Sequence, residues 1–352
     1  GYAGRGAGRN HMTDRELNEA SVTIFDVARE AGVSTATVSR VANRHPNIRP
    51  ETRQRVEDAM AKLGYVANLR ARGLAGGKTN VIGLLVDDLE SSYIAQIAQG
   101  VDRAVSGHGY DVLLSTMHLR QSRTLYVEQL FNGIVDGLIV LLASGFEPYL
   151  PQVARRGFPV VLIDHAPTEA APVVKTANHA GTTIAIEHLV ELGHRRIGFV
   201  TGFLDVSSAK ERLDAYQSTL FQLDIPYDPD LIEDGDFLPE SGAKAGAALL
   251  DLEDPPTAIL CSSDMEAFGV LQVARERGIS VPSDLSVVGF DDIPEAGYVT
   301  PPLTTVRQPM LDMGRVSAEL LMDAISGSGV PMSTVELPTE LIIRESTAPP
   351  RS

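Results

Sequence analysis

The chain has 352 residues, 43% of them apolar and 22% charged, with a formal net charge of −16. That length exceeds one ordinary domain, and the balance is that of a soluble globular protein with apolar material for a sizeable core. No run of about 18 apolar residues occurs, which excludes a helical membrane span, and the single cysteine, Cys261, excludes an internal disulfide framework and fits a reducing cytoplasm.

The charge is unevenly placed. Residues 1–79 hold 13 Lys/Arg against 8 Asp/Glu, whereas the rest of the chain holds 17 against 38. A basic end on an acidic body is the asymmetry expected where only that end meets phosphate. Residues 1–21, Gly- and Arg-rich with no hydrophobic run, read as a tail or cloning remnant and not as a secretory signal.

From Val22 to about residue 66 the pattern is short helices and tight turns. Thr23 followed by Asp26 resembles a capping box with an acid in place of Glu or Gln. Ile24, Val27 and Ala28 give the first helix an apolar face, and Gly32 suits the positive φ of a tight interhelical turn. Ser34 is placed to cap a second helix, Thr35 to Asn43, with Val38 and Val41 inward. Thr35, Ala36, Thr37, Ser39 and Arg40 are left outside. That face suits a major groove: Arg can bond a guanine edge twice, and Ala and Thr methyls can meet thymine. Its hydroxyls and the helix N-terminus suit phosphates. A three-helix interaction module with solvated hydroxyls is the plainer alternative on this segment alone.

The order DVAREAGVSTATVSRVAN, then RPETRQRVEDAMAKLGYVANLRARGLAGG, resembles the head and hinge of the lactose-repressor (LacI/GalR) family. The resemblance implies a helix-turn-helix DNA-binding domain over residues 22–66 and a hinge over 67–79. Thr35, Ala36 and Arg40 match base-reading positions, and Leu74 matches a leucine wedged into the minor groove. The DNA-facing set is thus Thr23, Ser34, Thr35, Ala36, Thr37, Ser39, Arg40, Asn43 and Arg49, with Asn68, Ala71 and Leu74 in the hinge. Arg49 stands where the family often has a Ser cap, ahead of Pro50, and is offered to phosphate instead. About nine residues with Gly73 inside are too few for a stable isolated helix, so the hinge should fold only on DNA with a partner subunit.

From Asn80 onward apolar runs alternate with amphipathic stretches. Predicted strands are Val81–Val86, Tyr110–Ser115, Gly137–Leu141, Val160–Ile163, Arg196–Val200, Ala258–Cys261 and Ser286–Phe290. Predicted helices include Tyr93–Ser106, Gln121–Asn132, His179–Leu192, Ala209–Leu223, Glu240–Leu250 and Met265–Arg277. The alternation argues for parallel sheets covered on both faces, with material for two lobes. The blocks HLVELGHRRIGFVTG, GDFLPESG, CSSDMEAFGV, VPSDLSVVGFDD and PPLTTVRQPM carry the family resemblance to residue 345. It implies an α/β periplasmic-binding-protein-like core of two doubly wound lobes over 80–345, joined by three crossings, with 346–352 as a C-terminal tail.

Ligands of open α/β sheets sit at strand C-termini. Asp87, Asp164, Asp264 and Asp291 end or follow strands, and Arg212 opens a helix. By the resemblance these match or adjoin effector contacts, and Tyr93, Ile94 and Phe237 match its apolar and aromatic ones. Carboxylates and a guanidinium suit vicinal hydroxyls, and aromatic rings cover a sugar's apolar face. Four acids against one Arg disfavour an anionic ligand, and Val206 stands where purine-sensing relatives carry a basic residue. A small neutral sugar fits best. Asp264 reads equally well as a plain N-cap, and Asp88 and Asp292 read as solvated neighbours. His194–Arg195–Arg196 reads as the link after a helix C-cap at Gly193, and Cys261 as packing.

The expectation is a cytoplasmic homodimeric repressor of carbohydrate-utilisation genes, bound to a pseudo-palindromic operator and released by a sugar. The alternatives are the same regulator under a phosphoprotein or other corepressor, and a transporter's solute receptor, which would lack residues 22–76. No Walker, G-x-S-x-G, HExxH or Cys/His metal spacing appears, so neither an enzyme nor a cofactor is expected.

Overall fold

Three short helices form the N-terminal unit because small and branched apolar residues recur on one side of each. They are α1 (Ile24–Ala31), α2 (Thr35–Ala42) and α3 (Pro50–Leu63). Val27, Ala31, Val38, Val41, Val56 and Ala59 meet in one small core. Gly32, at φ 63°, turns the chain between α1 and α2. The computed structural model describes residues 22–42, 47–65, 78–117, 133–141, 146–328 and 332–351, and the chain divides into two units after Gly77.

The second unit opens on β1 (Val81–Val86), buried along its whole length as a central parallel strand should be. Then follow α4 (Ser92–Ser106), β2 (Asp111–Thr116), β3 (Gly137–Leu141), α5 (Leu150–Arg156), β4 (Val160–Ile163) and β5 (Val173–Thr176). The chain passes into a second lobe with α6 (Asn178–Glu191), β6 (Ile197–Val200), α7 (Ser207–Gln222), β7 (Ile232–Glu233), α8 (Pro239–Leu250), β8 (Ala258–Cys261), α9 (Asp264–Glu276), β9 (Ser286–Asp291) and β10 (Thr304–Arg307). It returns with α10 (Met310–Ser326) and β11 (Thr334–Leu337), and crosses a last time into β12 (Glu340–Ile342).

The first sheet runs β11-β5-β4-β3-β1-β2, all parallel, and the second β12-β10-β9-β8-β6-β7, parallel except for β12. Alternate residues of one strand serve opposite faces. Ile82, Leu84 and Val86 join one apolar cluster, and Val81 and Leu85 another. The three crossings are tied together. The Thr176 hydroxyl donates to Gln308 at 2.7 Å, and the Ala177 N–H to the Leu337 carbonyl at 2.9 Å.

The seven expected strands are present, with β2 and β6 starting one residue later than the apolar run suggested and β9 reaching Asp291. Strands β5, β7, β10, β11 and β12 were not expected. They are short, and most owe their pairing to neighbours distant in sequence. The predicted helix Gln121–Asn132 lies outside the described residues. Residues 346–351 are not a tail. Ser346 is fully buried, its N–H-accepting hydroxyl bonding Thr304 at 2.8 Å, and the Val287 N–H donates to its carbonyl at 2.9 Å. Residues 79 and 80 belong to the body, both amides donating to the Asp136 carboxylate. No helix among the described residues is long and apolar enough to cross a membrane.

Candidate functional site

On the head, the candidate surface is α2. Burial of Val38 and Val41 leaves Ala36 and Arg40 exposed and Thr35, Thr37 and Ser39 half-exposed. Ser34 starts the helix by accepting the Thr37 N–H at 3.2 Å, and its hydroxyl lies 2.9 Å from that of Thr37. Asp26 accepts from the Thr23 N–H at 3.0 Å and hydroxyl at 2.6 Å, so Thr23 is engaged in holding α1. Arg49 precedes α3 without a side-chain capping bond. Asn43, Asn68, Ala71 and Leu74 lie outside the described residues.

In the body, the C-terminal ends of both sheets face one cavity of about 420 Å³. Its floor is polar and buried: Tyr93, Asp164, Ser208, Arg212, Ser263, Asp291 and Gln308, with Ile94 beside them. Half-buried Asp87, Asp88, Ser91, Val206, Phe237 and Leu238, with exposed Phe203 and Asp236, line its mouth. Tyr93 is placed by the start of α4, where Ser91 caps the helix by accepting the Tyr93 N–H at 3.2 Å. The Tyr93 hydroxyl donates to Asp164 Oδ2 in a short bond, while Asp164 Oδ1 is buried with no hydrogen-bond partner. Such an orphaned acceptor in a cavity is a natural place for a ligand hydroxyl.

Arg212 is set rigidly. Its Nε–H donates to Asn178 at 3.0 Å, Nη1–H to the Ser262 carbonyl, and the guanidinium lies 3.7 Å over the Phe290 ring. Gln308 donates to Asp291 Oδ1 at 2.6 Å. Burial raises the Asp164 carboxyl against the opposing pull of Tyr93 and Arg212. Burial likewise pushes Asp291 up to about 7, again opposed by Arg212. Asp164, Phe237 and Asp291 have φ of 54°, 69° and 125°. Positive φ at three lining residues is backbone strain of the kind that clusters at binding sites, mildest at Asp164 because Asp tolerates this region.

Seven of the eight residues singled out for the effector line this cavity, and Asp264 does not. Its carboxylate is turned into the lobe, where Oδ1 accepts from the Thr305 hydroxyl at 2.5 Å and Oδ2 from the Ile293 N–H at 2.9 Å. Nor is it the N-cap. Ser263 caps α9, accepting the Glu266 N–H at 3.1 Å. Asp88, read as a solvated neighbour, lines the cavity, and Asp292 is half-buried, its carboxylate held between Arg307, at 2.7 Å, and Arg344. His194 is structural, bonded to Thr257 at 2.8 Å and to the Ala348 carbonyl at 2.9 Å, and Arg195 donates to the Val190 carbonyl at the end of α6. Gln308, Ser208, Ser263, Phe203, Asp236 and Leu238 were missed. Strand-end position could have flagged Ser263, two residues past the expected strand Ala258–Cys261, whereas Gln308 follows β10, which was not expected.

Residues 23–68 match the family "Bacterial regulatory proteins, lacI family", and residues 186–347 match "Periplasmic binding protein-like domain". Catabolite control protein A of Priestia megaterium is 36% identical over 331 residues, covering 93% of this chain and 99% of that protein. The HTH-type transcriptional repressor CytR of Escherichia coli K12 is 35% identical over 333 residues, 94% of this chain and 97% of that one. Among solved structures, a transcriptional regulator CelR–cellobiose complex aligns with a TM-score of 0.73 at 34% identity, over 92% of this chain and 99% of that one. The Lac repressor dimer bound to operator and the anti-inducer ONPF aligns at 0.79 and 31%, over 93% and 99%.

Proposed function

The chain belongs to the LacI family of DNA-binding transcriptional regulators, whose members it resembles are not enzymes, and from that premise we propose that it is a cytoplasmic homodimeric repressor released from a pseudo-palindromic operator by a small neutral sugar. The observation that carries the effector reading is the make-up of the cavity floor. A buried acceptor without a partner, Asp164 Oδ1, faces a site whose lining holds Asp87, Asp88, Asp164, Asp236 and Asp291 against one guanidinium. An anionic ligand would meet net repulsion there. A polyol can donate to the carboxylates, accept from Arg212 and lay an apolar face on Phe237. The solved relatives in complex with cellobiose and with operator and ONPF support the class.

On the DNA side, Arg40 and Ala36 are the exposed members of an α2 face offered to a major groove, one head per half-site. Asn68, Ala71 and Leu74 would act in the hinge, with Leu74 as the wedge. Sugar binding releases DNA only to the extent that it prefers the DNA-incompetent state, a coupling on the order of 1–3 kcal/mol. The test is a thermal-shift screen of the full chain against mono- and oligosaccharides, followed by footprinting on DNA selected from a random pool, with and without the hits. Arg40→Ala should weaken operator binding roughly 10- to 100-fold, the worth of about 1–3 kcal/mol, and leave sugar binding unchanged. No stabilisation by any neutral sugar would end the effector reading. An absence of protected palindrome would end the operator reading.

A further inference from the structure

Phe237 adopts φ 69°, a conformation an L side chain rarely takes. Both of its backbone groups are held by the first turn of α9. Its N–H donates to Glu266 Oε1 at 2.8 Å, and its carbonyl accepts from the Ser263 hydroxyl at 3.3 Å. The neighbouring amides are fixed too: Gly235 donates to Thr201 Oγ1 at 3.3 Å, Asp236 to Ser241 Oγ at 3.1 Å and Leu238 to the Asp236 carboxylate at 3.0 Å. A Cβ at Gly235 would fall 2.2 Å from Glu266 Oε1 and 2.1 Å from the Thr201 carbonyl oxygen, so the loop lies directly on the acid. The Phe237 ring in turn lies against Gly202, where a Cβ would come within 2.1 Å of it.

Glu266 is fully buried, and its Oε2 has no hydrogen-bond partner. It does not line the cavity. Burial pushes its carboxyl well up, with the Phe237 N–H and Arg212 pulling the other way. A buried carboxyl with one oxygen unsatisfied costs stability, and an apolar residue would pack there without that cost. The loop it holds carries the cavity's aromatic wall.

We propose that Glu266 is a positioning residue of the effector cavity: its Oε1 fixes the Gly235–Leu238 loop in its left-handed turn, so that the Phe237 ring stands as a preformed wall for the ligand's apolar face. A wall that is already ordered spares the ligand the entropy of ordering it. The purpose assigned to the wall rests on the effector reading above, whereas the fixing of the loop is measurable without any sugar.

The chain contains no tryptophan, so Phe237→Trp creates a single fluorophore at the cavity mouth and Phe221→Trp, at a residue 83% exposed, a single control. In the full chain, time-resolved anisotropy of the first reporter should show overall tumbling only. Adding Glu266→Met, which keeps volume and removes the acceptor, should introduce fast local motion there and leave the control unchanged. Glu266→Gln retains an acceptor oxygen and should restore the immobile signal. Equal mobility with and without Glu266→Met, or loosening of both reporters together, would overturn the proposal. Hydrogen exchange of the Phe237 amide in the unsubstituted chain decides it independently of how any variant folds. Strong protection supports the fixed loop, and exchange at the rate of an unbonded amide refutes it. A failure of every sugar to bind would leave both readouts intact and remove only the wall's assigned ligand.

Discussion

The head and the body solve the problem of placing functional side chains at opposite ranges of sequence. In the head, the buried groups that shape the α2 surface lie between Thr23 and Ala59, and local devices (a cap, a glycine turn and two inward valines) orient Arg40. In the body, the cavity gathers residues from Asp87 to Gln308, and no local device suffices. The difference teaches that the head can change its reading of DNA by single surface substitutions, whereas the body's site is a product of the whole topology.

The largest test of that separation is Arg212→Ala. It removes a buried guanidinium that opposes the rise of Asp164 and Asp291 and that Asn178, Ser262 and Phe290 hold in place. Taking one partner from a buried charged network costs about 3–5 kcal/mol. The expected outcome is a body transition shifted down in calorimetry, loss of any sugar response, and operator affinity unchanged in the absence of sugar. Loss of operator binding as well would break the comparison.

The two units should also respond to pH with opposite signs. Asp291 is raised by burial from 3.8 to about 7, so the folded body binds its proton more tightly than the unfolded chain does. Its contribution is fully present below about 3.8 and is lost as pH rises through about 7. Asp26 in the head is lowered by the Thr23 hydroxyl and amide and by Arg29. Its contribution is present above the usual carboxylate range and is lost as pH falls through its lowered value. Raising pH from about 5 to about 8 should therefore lower the body's melting temperature more in the parent than in Asp291→Asn. Acid titration should melt the head less steeply in Asp26→Asn than in the parent. Parallel slopes for parent and variants would sink the assignment.

These differences explain what could be read from the residues alone. The helix-turn-helix was legible because Gly32, Ser34 and Val38 act on neighbours a few positions away. The cavity was legible where a residue ends a strand, as Asp164 and Asp291 do, and at Tyr93, Ile94, Arg212 and Phe237 through the family resemblance. Asp264 misled because SSD offers two caps, and its true partners, Thr305 and Ile293, lie far along the chain. Glu266 gave no signal, since the amide it holds is 29 residues upstream. Asp292 looked solvated because Arg307 and Arg344 reach it only once β10 and β12 pair.

A smaller effect checks whether the head is stabilised on its own. Val38 is fully buried among Val27, Val41 and Val56. Val38→Ala should cost about 2 kcal/mol from lost burial and the void left behind. A unit this small has little stability to spare, so the head transition and operator binding should fall while the body transition and sugar binding stay in place.

The finest test separates two roles assigned to Ser34, which caps α2 and is also offered to DNA phosphate. Ser34→Ala removes the acceptor for the Thr37 N–H and should lower head stability by about 1 kcal/mol. Ser34→Asp keeps a good cap and suits the helix N-terminus, so it should hold stability near the parent's. The new carboxylate would, however, face phosphate if this helix end approaches the DNA backbone. Operator affinity should then drop in Ser34→Asp more than in Ser34→Ala, although the Asp variant is the more stable of the two. If affinity instead follows stability across the pair, Ser34 is a cap only, and the contact surface of α2 begins at Thr35.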